Sequence, residues 1–208
     1  CPAGMDVPAY IALVRAQRLD DAYKILLRTN PFPGVCGRVC GHPCQFKCRR
    51  AQLDEPLAIK NLKRFITDHG RRPPVEKIPV TRSEKIAVIG AGPAGLSAAL
   101  ELKKRGYAVT VFEELPEAGG MLRWGIPSYR LPREVLSAEI KAILDTGIEL
   151  KTSTRVGKEV SFEELDKKFD YIYVAIGAQK SSPLGIPGED AKGVLGAVEL
   201  LRDFNLDN

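Results

Sequence analysis

Apolar residues recur with helical spacing along the first third of the chain. The segments 7–18, 20–28 and 57–69 each place their apolar side chains on one face, as an amphipathic helix requires. Asp20 stands at the start of the second segment and is the predicted N-cap. The intervening run 31–41 is rich in Pro and Gly and is predicted to be a loop. The pattern predicts a small all-α domain of three short helices.

A different pattern begins near residue 85, where short apolar runs of strand length alternate with amphipathic helices. Such alternation is typical of an α/β fold with a doubly wound parallel sheet. Ser161 and Glu164 have the spacing of a capping box, which predicts a further short helix. The predicted strands are 85–89, 107–112, 148–150 and 171–176, the last of them buried, and the predicted helices between them include 96–105 and 132–145.

Between the two patterns lies an aperiodic stretch with three prolines, which we predict to be a semi-rigid linker. The predicted organisation is a helical domain over 1–70, a linker over 71–84 and an α/β domain over 85–208. Hydrophobic residues make up 44% and charged residues 27%, which excludes a disordered or fibrous chain. The longest weakly polar run, 86–100, contains three glycines and a proline, and it is too short and too broken to span a membrane.

Charge is distributed unevenly between these regions. Residues 1–82 hold 15 Lys and Arg against 7 Asp and Glu, whereas residues 83–208 hold 16 against 19. A basic excess can attract nucleic acid, but here we interpret it as an offset to negatively charged thiolate clusters, and we predict no nucleic-acid partner. The chain begins at Cys1 without a Met or a signal peptide, which indicates a piece of a longer, cytoplasmic protein.

All five cysteines lie in the first 48 residues, and four of them form three successive C-x3-C steps. An odd, tightly clustered set without a signal peptide argues against a secreted disulfide framework and for metal ligation. Iron–sulfur clusters are held by thiolates that converge from such runs, whereas structural zinc sites favour separated pairs. We predict an iron–sulfur site, with zinc and unligated thiols as alternatives. The candidate ligands are Cys1, Cys36, Cys40, Cys44 and Cys48.

A glycine fingerprint, Gly90-Ala-Gly92-Pro-Ala-Gly95, directly follows the first predicted strand and opens a helix. In a dinucleotide fold the first glycine permits a tight turn, the second lets backbone approach a pyrophosphate, and the third lets the helix pack on the strand. Glu113 ends the next strand and can accept hydrogen bonds from ribose hydroxyls, which favours FAD or NAD over NADP at this site.

The segment 117–132 is too long and irregular for an ordinary connection, and long loops in compact domains usually carry function. Gly119 and Gly120 let the chain lie close to a flat ligand, and Arg130 supplies a cation. Trp124 either belongs to this ligand site or packs beneath the loop. The segment is therefore predicted to complete the dinucleotide site.

Taken together, these motifs resemble one family over nearly the whole chain. It is the small (β) subunit of NADPH-dependent glutamate synthase, with the amino-terminal part of dihydropyrimidine dehydrogenase and the large subunit of NADH-dependent ferredoxin:NADP oxidoreductase as relatives. The residues that carry the resemblance are Cys1-Pro-Ala-Gly-Met-Asp-Val-Pro, Asn30-Pro-Phe-Pro, Gly37-Arg-Val-Cys40, Gly90 to Gly95, Gly119-Gly-Met-Leu-Arg-Trp-Gly-Ile-Pro, Tyr129-Arg-Leu-Pro132 and Val174-Ala-Ile-Gly177-Ala.

The resemblance implies a helical domain with two [4Fe–4S] clusters, then an FAD domain into which an NADPH domain is inserted. It implies that Cys1, Cys40 and Cys44 bind one cluster and that Cys48 binds the other. The FAD-binding positions that it implies are Gly90, Gly92, Pro93, Ala94, Gly95, Glu113, Gly120, Met121, Arg130, Val156 and Gly177.

The chain departs from the family at three points. Three cysteines of the family's first cluster would precede Cys1. Lys63 occupies the position of a Gln or Glu ligand and, as an ammonium, has no lone pair to donate, so Cys36 is the natural substitute. No second glycine fingerprint follows Ala178, so the FAD domain is predicted to be incomplete and the piece alone to be inactive.

The predicted function is that of an FAD- and iron–sulfur-dependent NAD(P)H oxidoreductase whose flavin and clusters pass electrons to a partner subunit. The partner implied is a glutamate synthase large subunit, a ferredoxin or a dehydrogenase. Because the cofactors carry the chemistry, no catalytic acid, base or nucleophile is predicted. The alternatives are a non-catalytic electron-transfer and docking module, and a zinc-stapled binding domain fused to a nucleotide-binding fold.

Overall fold

The computed structural model describes residues 1–206 and divides the chain into two compact units. The first unit contains Cys1–Val75 together with Arg130–Glu139. The second contains Glu76–Tyr129 and the chain from Ile140 onward. A segment from the middle of the sequence thus packs with the amino-terminal region, although the predicted domain ranges are continuous in sequence.

The first unit is helical. Tyr10, Leu26 and Ile66 are fully buried at its centre, and the Tyr10 hydroxyl donates to the carbonyl of Ile59 at 3.3 Å. Burial of these side chains by three helices gives the unit its core. The helices are α1 (Val7–Arg15), α2 (Leu19–Leu27), α3 (Pro33–Val39), α4 (Pro43–Phe46), a 3-10 helix (Arg49–Gln52) and α5 (Ile59–His69).

The predicted cap at Asp20 is wrong. Helix α2 begins one residue earlier, at Leu19, so Asp20 lies inside the first turn and Arg18 occupies the cap position without a side-chain bond. The Asp20 carboxylate instead accepts hydrogen bonds from the backbone N–H and the Nε of Arg71, at 2.8 and 2.9 Å. Asp20 therefore ties the chain after α5 to the start of α2.

The loop predicted over 31–41 is also wrong, because most of it forms helix α3. Pro33 occupies the first helical position, where the missing N–H costs nothing. A Cβ on Gly37 would lie 2.9 Å from the Cα of Arg64 on α5, so the absent side chain lets the two backbones touch. Glycine here supports close helix packing rather than ending a helix.

The second unit contains a parallel four-stranded sheet in the order β3-β2-β1-β4, which confirms the predicted fold class. Because β1 has β2 on one side and β4 on the other, the strand order reverses at β1. The strands are β1 (Lys85–Ile89), β2 (Ala108–Phe112), β3 (Glu149–Lys151) and β4 (Tyr171–Val174). The remaining helices are α6 (Pro93–Lys104), α7 (Met121–Trp124), α8 (Arg133–Leu144), α9 (Phe162–Lys168) and α10 (Ala197–Leu206).

Strand β4 is not buried as predicted. Tyr171, Tyr173 and Val174 are 61%, 45% and 57% exposed, because β4 lies at an edge of the sheet formed by the described residues. The capping box predicted for α9 is present. Ser161 Oγ accepts from the N–H of Glu164 at 3.1 Å, and the Glu164 carboxylate accepts from the N–H of Ser161 at 2.8 Å. Within residues 1–206, none of the helices has the length and apolar character needed to cross a membrane.

Candidate cofactor sites

The glycine fingerprint lies at the carboxyl end of β1, where the strand order reverses. In open α/β sheets, ligands bind in the crevice beyond the carboxyl ends of the strands at this point. Gly90 adopts a φ of +103°, and a Cβ there would overlap the carbonyl oxygen of Ala175. A Cβ on Gly95 would overlap the carbonyl oxygen of Gly90. These two glycines are therefore required by the protein's own packing.

Gly92 differs from both. Its φ is −75°, which any residue adopts, and a Cβ there would meet only the Cα of Gly120, at 3.8 Å. A Cβ on Gly120 would in turn lie 2.8 Å from the Cα of Gly92. The two glycines thus form a cradle that side chains would fill, as expected where backbone approaches a dinucleotide pyrophosphate. The residues present fit the phosphates of FAD.

Helix α6 begins at this cradle. Gly92 is its N-cap and provides no side-chain acceptor, and Pro93 follows at the first helical position. The first hydrogen bond described inside the turn runs from the N–H of Leu96 to the carbonyl of Gly92, at 3.0 Å. An anionic ligand is therefore favoured at this helix start, by the N–H groups of Ala94 and Gly95 and by the positive end of the helix dipole.

Glu113 holds the glycine loop to the end of β2. Its carboxylate accepts hydrogen bonds from the backbone N–H of Ala91 at 2.8 Å and of Leu115 at 3.0 Å, and the residue is only 6% exposed. Sequence reasoning assigned Glu113 to ribose binding and missed this second role. Two carboxylate oxygens have about four lone-pair sites, so these bonds leave capacity for ribose hydroxyls. The predicted ribose contact stays a prediction.

The other predicted FAD residues are distributed more widely. Met121 begins α7 directly after Gly120. Val156 packs beside the buried Phe112, and Gly177 follows β4 with a φ of +67°. These three lie in the second unit with the glycine loop, whereas Arg130 belongs to the first unit. Their assignment to FAD stays a prediction.

The segment 117–132 is less irregular than predicted, because it contains α7. Arg123 is buried and donates from Nε to the carbonyl of Ala118 at 2.7 Å, while its guanidinium pairs with Glu117 at 2.5 Å. Trp124 is 8% exposed, and its backbone carbonyl accepts from Asn205 Nδ2 on α10 at 2.9 Å. The Arg123 side chain and the Trp124 backbone carbonyl thus hold the polypeptide that follows Gly120.

Three of the five cysteines line one cavity of about 620 Å³ in the first unit. Cys1, Cys44 and Cys48 contribute thiols, and the walls are mainly apolar. Thiols around an apolar cavity suit the ligand chemistry of an iron–sulfur cluster. The set differs from the predicted trio in one member, because Cys48 lines the cavity and Cys40 does not.

Cys36 and Cys40 are carried by α3. Cys36 lies inside the helix, and Cys40 is its C-cap and accepts from the N–H of His42 at 3.3 Å. All five cysteines are free thiols. Across residues 1–206, no three His, Cys, Asp or Glu side chains converge closely enough to hold a metal ion. The ligand assignment of each cysteine therefore stays a prediction.

The thiols differ in their electrostatic surroundings. Hydrogen bonds from the backbone at Leu57 and at Arg50 hold the pKa of the Cys48 thiol below its usual value, which favours the thiolate that binds metal. Burial raises the pKa of the Cys36 thiol, and a hydrogen bond from Asn30 and the charge of Lys63 oppose that rise. Lys63 is 5% exposed, and its charge acts on the Cys36 thiol of α3.

Sequence reasoning missed Glu139 entirely. It is 3% exposed, and its carboxylate accepts from the N–H of Gly34 at 2.6 Å and of Val35 at 3.1 Å in the first turn of α3. Burial raises the pKa of Glu139 to about 6, although both hydrogen bonds and the nearby Arg72 and Arg38 act in the opposite direction. No local sequence signal marks this residue, because its partners lie about a hundred positions away.

Two family matches cover the chain in succession. Residues 1–74 match the family described as dihydropyrimidine dehydrogenase domain II, 4Fe-4S cluster. Residues 84–206 match the pyridine nucleotide-disulphide oxidoreductase family. These matches confirm the predicted oxidoreductase class and the predicted cofactor types of the two regions.

Curated relatives are similar over almost all of the chain. The NADP(+)-dependent formate dehydrogenase subunit beta of Moorella thermoacetica is 46% identical over 100% of the chain and 33% of the relative. The glutamate synthase [NADPH] small chain of Bacillus subtilis is 39% identical over 97% of the chain and 41% of the relative. The chain thus spans between a third and two fifths of these relatives, and the predicted resemblance is confirmed.

A solved structure shares part of the chain's fold. FprA of Mycobacterium tuberculosis, solved in complex with NADPH, matches with a TM-score of 0.55 and 30% identity, over 60% of the chain and 29% of FprA. The matched fold, the glycine cradle at the point where the strand order reverses and the cysteine-lined cavity agree with the family assignment. The chain therefore belongs to the pyridine nucleotide-disulphide oxidoreductase family, and its residues 1–74 match the 4Fe-4S cluster domain of the dihydropyrimidine dehydrogenase type.

Proposed function

We propose that this chain is the iron–sulfur and FAD-binding part of an NAD(P)H oxidoreductase. The observation that carries the proposal is the cradle between Gly92 and Gly120, since Gly92 is conformationally free to be any residue and yet leaves its side-chain space open. A cysteine-lined cavity in the same chain provides a site for a second redox group, an iron–sulfur cluster. When bound, FAD would supply the chemistry that links two-electron hydride transfer from a nicotinamide to one-electron transfer to iron–sulfur clusters.

The residues of the second unit bind and orient the flavin nucleotide. The N–H groups at the start of α6 hold the pyrophosphate, and Gly92 allows them to come close. Glu113 fixes the loop through Ala91 and accepts from the adenosine ribose with its remaining lone pairs. The protein's contribution is to position the cofactor, because hydride transfer depends on geometry good to about an ångström.

The residues of the first unit bind the clusters. Cys1, Cys44 and Cys48 face one cavity, and Cys40 and Cys36 present two further thiols from α3. Lowering of the Cys48 pKa favours the thiolate form that iron requires. Thiol ligands of this type persist where the compartment is reducing, so we place the protein in the cytoplasm.

We propose that a partner subunit exchanges electrons with these clusters. Two of the similar proteins are named as a subunit beta and as a small chain, which supports membership of a larger assembly. A glutamate synthase large subunit, a ferredoxin and a dehydrogenase subunit are the candidate partners.

The test is anaerobic purification of the full-length protein, followed by its visible spectrum and its content of flavin, iron and sulfide. We expect the absorption bands of flavin together with a broad shoulder at about 400 nm, which thiolate-bound iron–sulfur clusters give. NADH- and NADPH-dependent reduction of an artificial acceptor is then compared between the full-length protein and residues 1–208. The full-length protein should turn over and residues 1–208 should not. A colourless, zinc-containing protein, or robust flavin-dependent turnover by residues 1–208, would overturn the proposal.

A further inference from the structure

Helix α3 carries Cys36 and ends at Cys40, yet nothing in its own sequence caps it. The residue at its N-cap is Phe32, which provides no side-chain hydrogen bond. The first backbone donors of a helix have no partners within the helix and need acceptors from elsewhere. An uncapped first turn frays readily, and any cysteine on such a helix would be poorly fixed.

Every donor at the start of α3 is nevertheless satisfied. The N–H of Phe32 donates to Asn30 Oδ1 at 2.9 Å, and Pro33 has no N–H. The N–H groups of Gly34 and Val35 donate to the two carboxylate oxygens of Glu139, at 2.6 and 3.1 Å. Two of these backbone donors therefore share one acceptor, the side chain of Glu139 on α8, which follows Gly34 by 105 residues in the sequence.

The Glu139 carboxylate is buried among charges that hold it in place. Arg72 Nη1 lies 3.9 Å from its Oε1. Arg38, on α3 itself, donates to the carbonyl of Gly34 at 3.3 Å and pairs with Asp68 of α5 at 2.6 Å. A buried carboxylate is costly unless it is hydrogen-bonded and paired, and here the two backbone hydrogen bonds and the nearby Arg72 offset part of that cost.

Helix α3 is also constrained along its length. Because a Cβ on Gly37 would lie 2.9 Å from the Arg64 Cα, α3 and α5 are in backbone contact one residue after Cys36. A helix pressed against a neighbour can still slide along it or rotate about its own axis. The bidentate bond from Glu139 opposes both movements, because it fixes the two N–H groups directly before Cys36.

We propose that Glu139 is a positioning residue for the iron–sulfur centre. By holding the first turn of α3 it sets the direction in which the Cys36 and Cys40 thiols are presented to a cluster. The inference rests on the proposed function, since it concerns how the chain's own residues present those thiols to iron. Glu139 itself binds no iron in this proposal.

The test uses Glu139→Gln in the full-length protein, purified anaerobically, with Glu134→Gln as the matched control. Glutamine keeps one acceptor oxygen but turns an NH2 group toward the second N–H, so one of the two bonds is lost. Glu134 is an exposed residue of the same helix, and its substitution removes the same charge. Measurements are iron and sulfide per chain, flavin per chain, and the EPR spectrum and midpoint potential of the reduced protein.

We expect Glu139→Gln to lose the iron of one cluster, because a displaced ligand weakens metal binding and local folding together. Any cluster restored by reconstitution should show a shifted EPR spectrum and midpoint potential. Flavin content and the control variant should match the wild type. Wild-type iron, EPR spectrum and potential in Glu139→Gln would overturn the inference, whereas a wild-type protein without iron would instead overturn the proposed function.

Gly34→Ala decides the question if Glu139→Gln does not accumulate as folded protein. The added Cβ would lie 3.0 Å from Glu139 Oε1 and 3.1 Å from Val135 Cγ1, so the carboxylate must shift while its charge and both donors remain. We expect this variant to retain iron and to show a shifted EPR spectrum. An EPR spectrum and midpoint potential identical to those of the wild type would contradict the positioning role.

Discussion

Replacing Gly92 with alanine separates ligand binding from folding. At Gly92 the backbone φ is −75°, and a Cβ would have a single neighbour, the Gly120 Cα at 3.8 Å, which is an ordinary van der Waals distance. Alanine at a compatible glycine position stabilises a protein by about 0.4–1 kcal/mol, because it restricts the unfolded chain. The free energy of unfolding should therefore stay the same or rise slightly.

FAD binding should respond in the opposite direction. The added methyl group occupies the space through which the loop backbone reaches the pyrophosphate, so the N–H groups of α6 can no longer approach it closely. Loss of one charge-assisted hydrogen bond costs about 1.5–3 kcal/mol, which corresponds to a weakening of FAD binding of roughly 10- to 150-fold.

The assay measures flavin content and FAD affinity by fluorescence quenching in the full-length protein, and urea unfolding of its flavin-free form. Gly95→Ala is the contrasting variant, because its Cβ would overlap the Gly90 carbonyl oxygen and should destabilise the fold itself. Gly92→Ala with wild-type FAD affinity would refute the assignment of the cradle to a pyrophosphate. So would a loss of stability equal to that of Gly95→Ala.

Three further predictions test other parts of the structure. Cys40→Ser and Cys44→Ser should each lose the iron of one cluster, since a hydroxyl is a poor substitute for a thiolate, and full iron content in both would contradict the ligand assignment. Glu113→Ala should weaken FAD binding and, unlike Gly92→Ala, should also lower the free energy of unfolding by about 1–3 kcal/mol for each N–H left unpaired, as urea titration will show. Burial raises the folded-state pKa of Glu139 from 4.5 to about 6, so the folded protein holds this proton more tightly than the unfolded chain. Its contribution to stability is therefore complete below about pH 4.5 and is lost as pH rises through about 6, a change of about 2 kcal/mol. When the free energy of unfolding is measured across this pH range, Glu139→Gln should lack the pH-dependent loss of stability that the wild type shows. A pH profile unchanged by the substitution would argue against the burial described for this carboxylate.

The dinucleotide fold could be predicted from the sequence because its signals are local. The apolar strand, the glycine run and the amphipathic helix follow one another without interruption from residue 85 to 105, and Glu113 ends the next strand. Gly90 and Gly95 are required by neighbours close in sequence or just after the adjacent strand β4. The capping box of α9 was predictable for the same reason, since both partners lie within four residues.

Features that depend on distant residues could not be predicted. Helix α3 looks like a loop in the sequence, because the Pro and Gly residues that favour a turn are here accommodated by contacts with α5 and Glu139. The exposure of β4 depends on its position at the sheet edge, whereas its composition is that of a buried strand. In both cases tertiary contacts override a local conformational preference, and these contacts cannot be predicted from local sequence patterns.

The hydrogen bonds from Glu139 to α3 have a consequence for dissecting the protein into parts. A gene segment cut directly after Pro74 would encode all five cysteines and yet omit the acceptor for two donors of α3. Such an excised module would carry an uncapped helix and an unopposed Arg72, and should express as a poorly ordered peptide. A chimera that grafts this cysteine region onto another flavoprotein must therefore also transplant residues 130–139. We therefore expect the two matched regions to be exchanged between proteins together, because residues 130–139 lie within the second match and pack with the first unit.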